Sequence, residues 1–91
     1  MALIADMDGF NMATGSGYID GTTLNIPKTK DPEGNEVAAV SYGAATVFGE
    51  DGSILVQQII GFEQVENVHP STYQRINTFD GNGYGEWLKI G

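Results

Sequence analysis

The 91-residue sequence has no cysteine, a single histidine and only four basic residues against twelve acidic ones. Without thiols there is neither a disulfide framework nor a thiolate zinc site, and the redox compartment stays open. A net charge of −8 repels phosphate backbones and anionic lipid surfaces, so neither nucleic acid nor membrane is an expected partner. Long hydrophobic runs are also missing: nothing approaches the roughly 18–20 apolar residues of a membrane span. The opening M-A-L-I-A-D lacks the basic start of a signal peptide. These absences predict a soluble chain outside the secretory pathway.

What is present points to strands. Thirteen glycines, nine aromatics and many Val, Ile and Thr residues suit short strands joined by tight turns, because β-branched and aromatic side chains pack well on a pleated surface. The length fits one domain, residues 1–91. With an ordering cost of roughly 1.5 kcal/mol per residue, so short a chain gains little net stability unless a partner adds buried surface. Self-association is therefore expected on size alone.

Along the chain, Ile4, Met7 and Phe10 recur at three-residue spacing, which predicts a short helical turn. S-G-Y-I-D-G reads as a brief strand entering a turn, and residues 25–36 as a long exposed polar loop holding Lys28 and Lys30. From Val37 to Phe48 the bulk falls on even positions, Val40, Tyr42, Ala44 and Phe48, predicting one strand with that face buried. An Asp-Gly turn joins it to I-L-V-Q-Q-I-I-G-F, so residues 38–61 form the strongest hairpin signal. S-T-Y-Q-R-I-N-T-F and Y-G-E-W-L-K-I make a second hairpin through the turn at Asp80–Gly83. One antiparallel sheet of four or five strands results. Its strands carry apolar groups on both sides, Leu55 and Ile59 opposing Ile54, Val56 and Ile60, so a second face needs cover from the long loop or another copy.

Six short motifs then stand in a definite order: N-M-A-T-G-S-G-Y (11–18), a loop around Pro27, Y-G-A-A-T-V-F (42–48), V-Q-Q-I (56–59), Y-Q-R-I (73–76) and Y-G-E-W-L-K-I (84–90). In this order they resemble the knob domain of bacteriophage tail fibres and R-type pyocins, over nearly the whole chain. The sequence departs from the family's pattern at Tyr84, which stands in place of the first tryptophan of a terminal pair, and in a somewhat long segment before Tyr73.

The resemblance implies a mainly β fold, a small antiparallel sheet or sandwich knob with a short N-terminal helical turn, assembled as a homotrimer. It implies a non-enzymatic virion protein on a tail fibre, or on the capsid as a head fibre or decoration. Such a protein is assembled in the bacterial host cytoplasm, bound to other virion proteins and available to a host surface glycan or receptor, with no cofactor. Carried onto this sequence, Gln58 is a polar group facing between strands or subunits. Ile60, on the second apolar side of the same strand, joins it at the interface. Tyr73, Arg75, Tyr84 and Trp87 are the binding candidates. A chain that opens on Met1 and closes on the last motif fits both an independent small protein and a fragment of a longer one.

Each candidate also has a plainer reading. Arg75 is the only arginine; pairing with a carboxylate such as Glu86 across the hairpin is favoured over capture of a ligand's acidic group. Tyr84 and Trp87 are an odd number of positions apart, so a regular strand points them to opposite faces unless Gly85 introduces a bulge, and core packing of Trp87 is favoured over a sugar-stacking platform. His69 precedes a proline and reads as an exposed bystander rather than a metal ligand. D-M-D-G (6–9) and D-G-N-G-Y-G (80–85) begin like calcium loops, but their twelfth positions are Gly17 and Gly91, which supply no carboxylate; turn chemistry explains both, and no metal is expected. A carbohydrate-binding module is the alternative. A small glycan-cleaving enzyme using paired carboxylates ranks lower, since a domain this small rarely encloses a deep cleft.

Overall fold

Strand-forming segments separated by Asp-Gly, Asn-Gly and Pro-Glu-Gly-Asn turns give seven strands in the computed structural model, which describes residues 2–10, 14–63 and 70–91. In chain order they are β1 (Thr14–Asp20), β2 (Lys28–Lys30), β3 (Glu36–Ala38), β4 (Val40–Glu50), β5 (Ile54–Glu63), β6 (Pro70–Asn77) and β7 (Leu88–Lys89), preceded by a 3-10 turn at Met7–Gly9. The protein is mainly β. Five strands form one antiparallel sheet in the order β1-β4-β5-β6-β7, while β2 and β3 form a separate hairpin.

The β4–β5 hairpin matches expectation, running from Tyr42↔Phe62 to Glu50↔Ile54 around Asp51 and Gly52. Gly52 takes a positive φ of 85°, which its lack of a Cβ permits. The polar segment 25–36, expected to be loop throughout, instead folds back on itself as β2–β3. Its turn is built by Asp31, whose carboxylate accepts from the backbone N–H groups of Glu33 at 3.0 Å and Asn35 at 2.8 Å. The second hairpin also forms, although β7 is only two residues long and Tyr84 meets Asn77 as an isolated bridge.

Two expectations for residues 37–48 are overturned. The run is broken at Ala39 into β3 and β4, and the register shifts between Val40 and Tyr42. A register irregularity flips every later side chain to the other face. Val40 is buried, but beyond the shift the buried positions are Gly43, Ala45 and Val47, whereas Tyr42, Ala44 and Phe48 are exposed. Beside the shift Gly43 faces Gly61; a Cβ on Gly43 would lie 2.6 Å from the Ile60 carbonyl oxygen, so the strands approach closely there because both residues lack side chains.

The buried face of the sheet carries Ile19, Ala45, Val47, Leu55 and Ile59, and residues 4–10 close over it. Ile4 and Met7 point inward, and Asp6 caps the 3-10 turn by accepting from the Asp8 N–H at 2.9 Å. Ile4 N–H bonds Tyr18 O at 2.8 Å and Met7 N–H bonds Leu24 O at 3.0 Å, which ties this segment to β1 and to the loop before β2. Ile26 and Val40 complete the core, with Phe10, Ala38, Tyr73 and Trp87 at its margin.

The opposite face has no such cover among the described residues. Register places Tyr18, Ala44, Ile60 and Thr72 in one row across the sheet, then Ser16, Thr46, Gln58, Gln74 and Leu88 in the next. Phe48, Val56 and Ile76 follow in a third row, and Tyr42 with Phe62 flanks the first.

Candidate functional site

Alternation along β6 sends Ser71, Tyr73 and Arg75 to the buried face, and register sets Arg75 opposite Gln57 of β5. Both are polar and both are buried, Gln57 completely and Arg75 to 7% exposure. Buried polar groups must find partners. Arg75 Nε donates to Gln57 Oε1 at 2.8 Å, and Gln57 Nε2 donates to the backbone carbonyls of Met7 at 2.7 Å and Phe10 at 2.8 Å. Arg75 Nη2 donates to Asp8 Oδ1 at 2.8 Å, closing an ion pair with a side chain that is itself 56% exposed. The carboxylate partner is thus Asp8, not Glu86, and it lies in the segment that covers the core.

Aromatic rings close the guanidinium from two directions. Its carbon lies 4.4 Å from the Tyr84 ring centroid and 4.6 Å from that of Trp87. A cation over an aromatic face contributes about 0.5–2 kcal/mol, the more so where water is excluded. The expectation that Tyr84 and Trp87 point apart fails because residues 85–87 are not regular strand: Gly85 N–H bonds Ile76 O at 3.0 Å, and strand pairing resumes only at Leu88. Trp87 is half-buried and its indole N–H donates to Asn25 O at 3.0 Å, fixing the loop before β2.

Burial pushes the Tyr84 phenol above its ordinary pKa of 10.0, while the Arg75 charge and the nearby Gln57 amide pull it back; the hydroxyl makes no hydrogen bond among the described residues. Tyr73 is also raised, chiefly by burial, with Lys89 opposing and Glu63 reinforcing the shift. Glu63, buried at the end of β5, accepts from Ser71 and pairs with Lys89, which fastens β7 to the sheet.

A surface cleft of about 770 Å³ opens between the loop Leu24–Lys28 and residues Gly85–Trp87, with Tyr73 and Arg75 also lining it. Its walls pair apolar surface from Leu24, Pro27 and Trp87 with the charged ends of Lys28 and Glu86. A neighbouring polar recess of about 410 Å³ is lined by Asp8, Asn25, Asn77, Asn82 and Tyr84. The four binding candidates of the sequence therefore come together, Tyr84 and Trp87 stacked on Arg75 and Tyr73 beside them in the larger cleft. Gln58 and Ile60 lie on the opposite side, on the open sheet face, Gln58 donating to Gln74 Oε1 at 3.2 Å and Ile60 51% exposed.

The sequence reading missed Gln57 and Asp8. A glutamine inside an apolar strand is a signal, but Gln57-Gln58 offers it twice, and only register decides which amide turns inward. The two calcium-like stretches are turns: Asp6 Oδ1 accepts from Asp8 N–H, and Asp80 Oδ1 accepts from Asn82 N–H at 2.9 Å. Among the described residues no three His, Cys, Asp or Glu side chains are placed to hold a metal ion, and no helix is long and apolar enough to cross a membrane. His69, part of the first motif (residues 11–13) and the segment 64–69 lie outside the described residues. Comparison with family models, with curated proteins and with solved structures finds no match to this chain.

Proposed function

We propose that this chain is a non-enzymatic structural protein or domain of a phage virion. It is a small β knob of sheet or sandwich build, homotrimeric, carried on a tail fibre or on the capsid as a head fibre or decoration. In this reading it is assembled in the bacterial host cytoplasm, docks on other virion proteins and turns its loops toward a host surface glycan or receptor. The observation that carries the reading is the clustering of the motif residues. Arg75, Tyr84 and Trp87 are engaged with one another and with Gln57 and Asp8, joining the first ten residues to the last eight. A motif set whose side chains hold each other supports a role in shape rather than turnover. Light scattering at low and high protein concentration tests it: three copies per particle are expected, and a single copy throughout overturns the trimer.

A carbohydrate-binding module is the second reading, supported by the cleft beside Trp87, where apolar surface and polar ends converge. Lys28 and Glu86 line it and are exposed. Glycan-array binding that is lost in Lys28→Ala and Glu86→Ala with the fold intact favours this reading; no binding at millimolar glycan removes it.

A further inference from the structure

We infer that copies of this chain associate through the open face of the five-stranded sheet, the faces of neighbouring copies turning toward one another to close a shared core. The inference rests on the assembly reading above and names the surface that performs it.

Of the eleven large hydrophobic side chains exposed among the described residues, eight fall on this face: Tyr42, Phe48, Ile54, Ile60, Phe62 and Ile76 by strand register, Leu88 on β7, and Ile90, whose N–H bonds Thr72 O. They are between 39% and 61% exposed. The aromatics Tyr42, Phe48 and Phe62 carry roughly 150–250 Å² each, so half open the three alone present on the order of 300 Å², and the five aliphatic side chains add to it. The largest apolar patch on a typical monomer is about 300–600 Å². A standard interface takes about 800 Å² from each partner; a face turned toward a threefold axis is divided between two neighbours, so its apolar rows and the polar row between them are buried together.

Charge selects the occupant. The protein carries −8 overall, yet among its described residues this face holds carboxylates only at its ends, Asp20 opposite Tyr42 and Glu50 opposite Ile54. A surface built for a basic partner would present its acids; here they lie elsewhere. Two bodies of like charge repel at range, but screening confines that repulsion to about 8 Å at physiological salt, and an uncharged plane adds none at contact. An apolar sheet face without charge at its centre is complementary to further copies of itself; around a threefold axis each face meets two neighbours, and packed sheets lie about 10 Å apart.

The row Ser16, Thr46, Gln58, Gln74 crosses this face between the apolar rows. Its Gln58–Gln74 hydrogen bond satisfies only part of two amides' capacity, leaving donors and acceptors for the row of a neighbour.

The test substitutes Ile60→Lys and Phe62→Lys separately, with Glu33→Lys in the β2–β3 turn as the control, and reads molar mass by light scattering. Folding is read by circular dichroism and Trp87 emission. Wild type and control are expected to be multimeric. The two face variants are expected to be single copies, with their assembly midpoint raised about a hundredfold or more by the unpaired buried charge. Hydroxyl-radical footprinting of wild type provides an independent measure: Tyr42 and Phe62 are expected to gain protection as concentration rises. Multimeric face variants, or assembly without protection of Tyr42 and Phe62, overturn the inference and leave the trimer standing. A wild type that is a single copy at millimolar concentration overturns both.

Discussion

Gln57 and Arg75 sit directly opposite each other on β5 and β6, joined by a 2.8 Å hydrogen bond from Arg75 Nε to Gln57 Oε1. The pair is the hub of the buried side of the sheet, because the same glutamine amide also donates to two backbone carbonyls of the N-terminal segment. Gln57→Ala takes the Gln57 amide from Phe10 O and Arg75 Nε, and leaves Met7 O with the Phe10 N–H alone, and is expected to cost about 2–4 kcal/mol. In thermal denaturation that is a fall of about 10 °C or more. Gln57→Glu keeps an acceptor for Arg75 but has no N–H for Met7 O and Phe10 O, so it too is expected to lower the melting temperature.

Tyr84 separates the contribution of its ring from that of its hydroxyl. The ring covers Arg75, while the buried hydroxyl has no partner among the described residues. Tyr84→Phe is therefore expected to leave the melting temperature unchanged or raise it, since a buried unpaired polar group opposes folding. Tyr84→Ala removes the ring and is expected to lower stability by about 2 kcal/mol or more. Calorimetry on the two variants makes the comparison, and a large loss in Tyr84→Phe would show that the hydroxyl is bonded.

Close approach of β4 and β5 at Gly43 and Gly61 predicts intolerance of even one methyl group. A Cβ at Gly43 would lie 2.6 Å from Ile60 O and 3.0 Å from the Gly61 Cα, both backbone atoms. Gly43→Ala is expected to destabilise by about 1–3 kcal/mol in urea unfolding, as overpacked sites do. Gly9→Ala, where nothing lies within 4 Å, is the control.

Much of the fold was legible in the sequence. The composition, the Asp-Gly turn and the apolar run of β5 specified the main hairpin, and Tyr73 and Arg75, two apart, were bound to share a face. What was not legible was non-local. The shift between Val40 and Tyr42 inverts the faces of β4, and nothing in V-A-A-V-S-Y-G marks it. Arg75 finds Asp8, 67 residues away, rather than Glu86 nearby. Tyr84 and Trp87 meet over one guanidinium because the chain leaves strand geometry at Gly85, the one position where the sequence allowed parity to break.

Alkaline pH is expected to weaken the fold. Tyr73 and Tyr84 have folded pKa values above 10.0, chiefly through burial. Their contribution is complete below 10.0 and is lost as pH rises from there through the folded values, because the unfolded chain releases those protons first. Melting temperature followed from pH 9 to 12, with phenolate absorbance as the monitor, should fall in that window. In Tyr84→Phe part of the dependence should disappear.

At the acid end the sign is opposite. Asp6, Asp20 and Asp31 are lowered below 3.8, Asp6 first by the Asn25 amide, Asp20 by Thr22 and Asp31 by the Asn35 N–H. Their turns are fully supported above 3.8 and lose that support as pH falls through the lowered values. Amide exchange at Glu33 and Asn35 is expected to rise there before the sheet itself opens.

A plane of hydrocarbon with no landmarks would let an adjoining plane slide along it or swivel, since oil against oil costs nearly the same in every alignment. The band of hydroxyls and amides from Ser16 to Gln74 removes that indifference. Shifted by two residues, the glutamines would be stranded against Ile60 or Val56; brought level, amide can answer amide. In the assembly inferred above, the apolar rows of this sheet would supply adhesion and its band of hydroxyls and amides would set the docking angle.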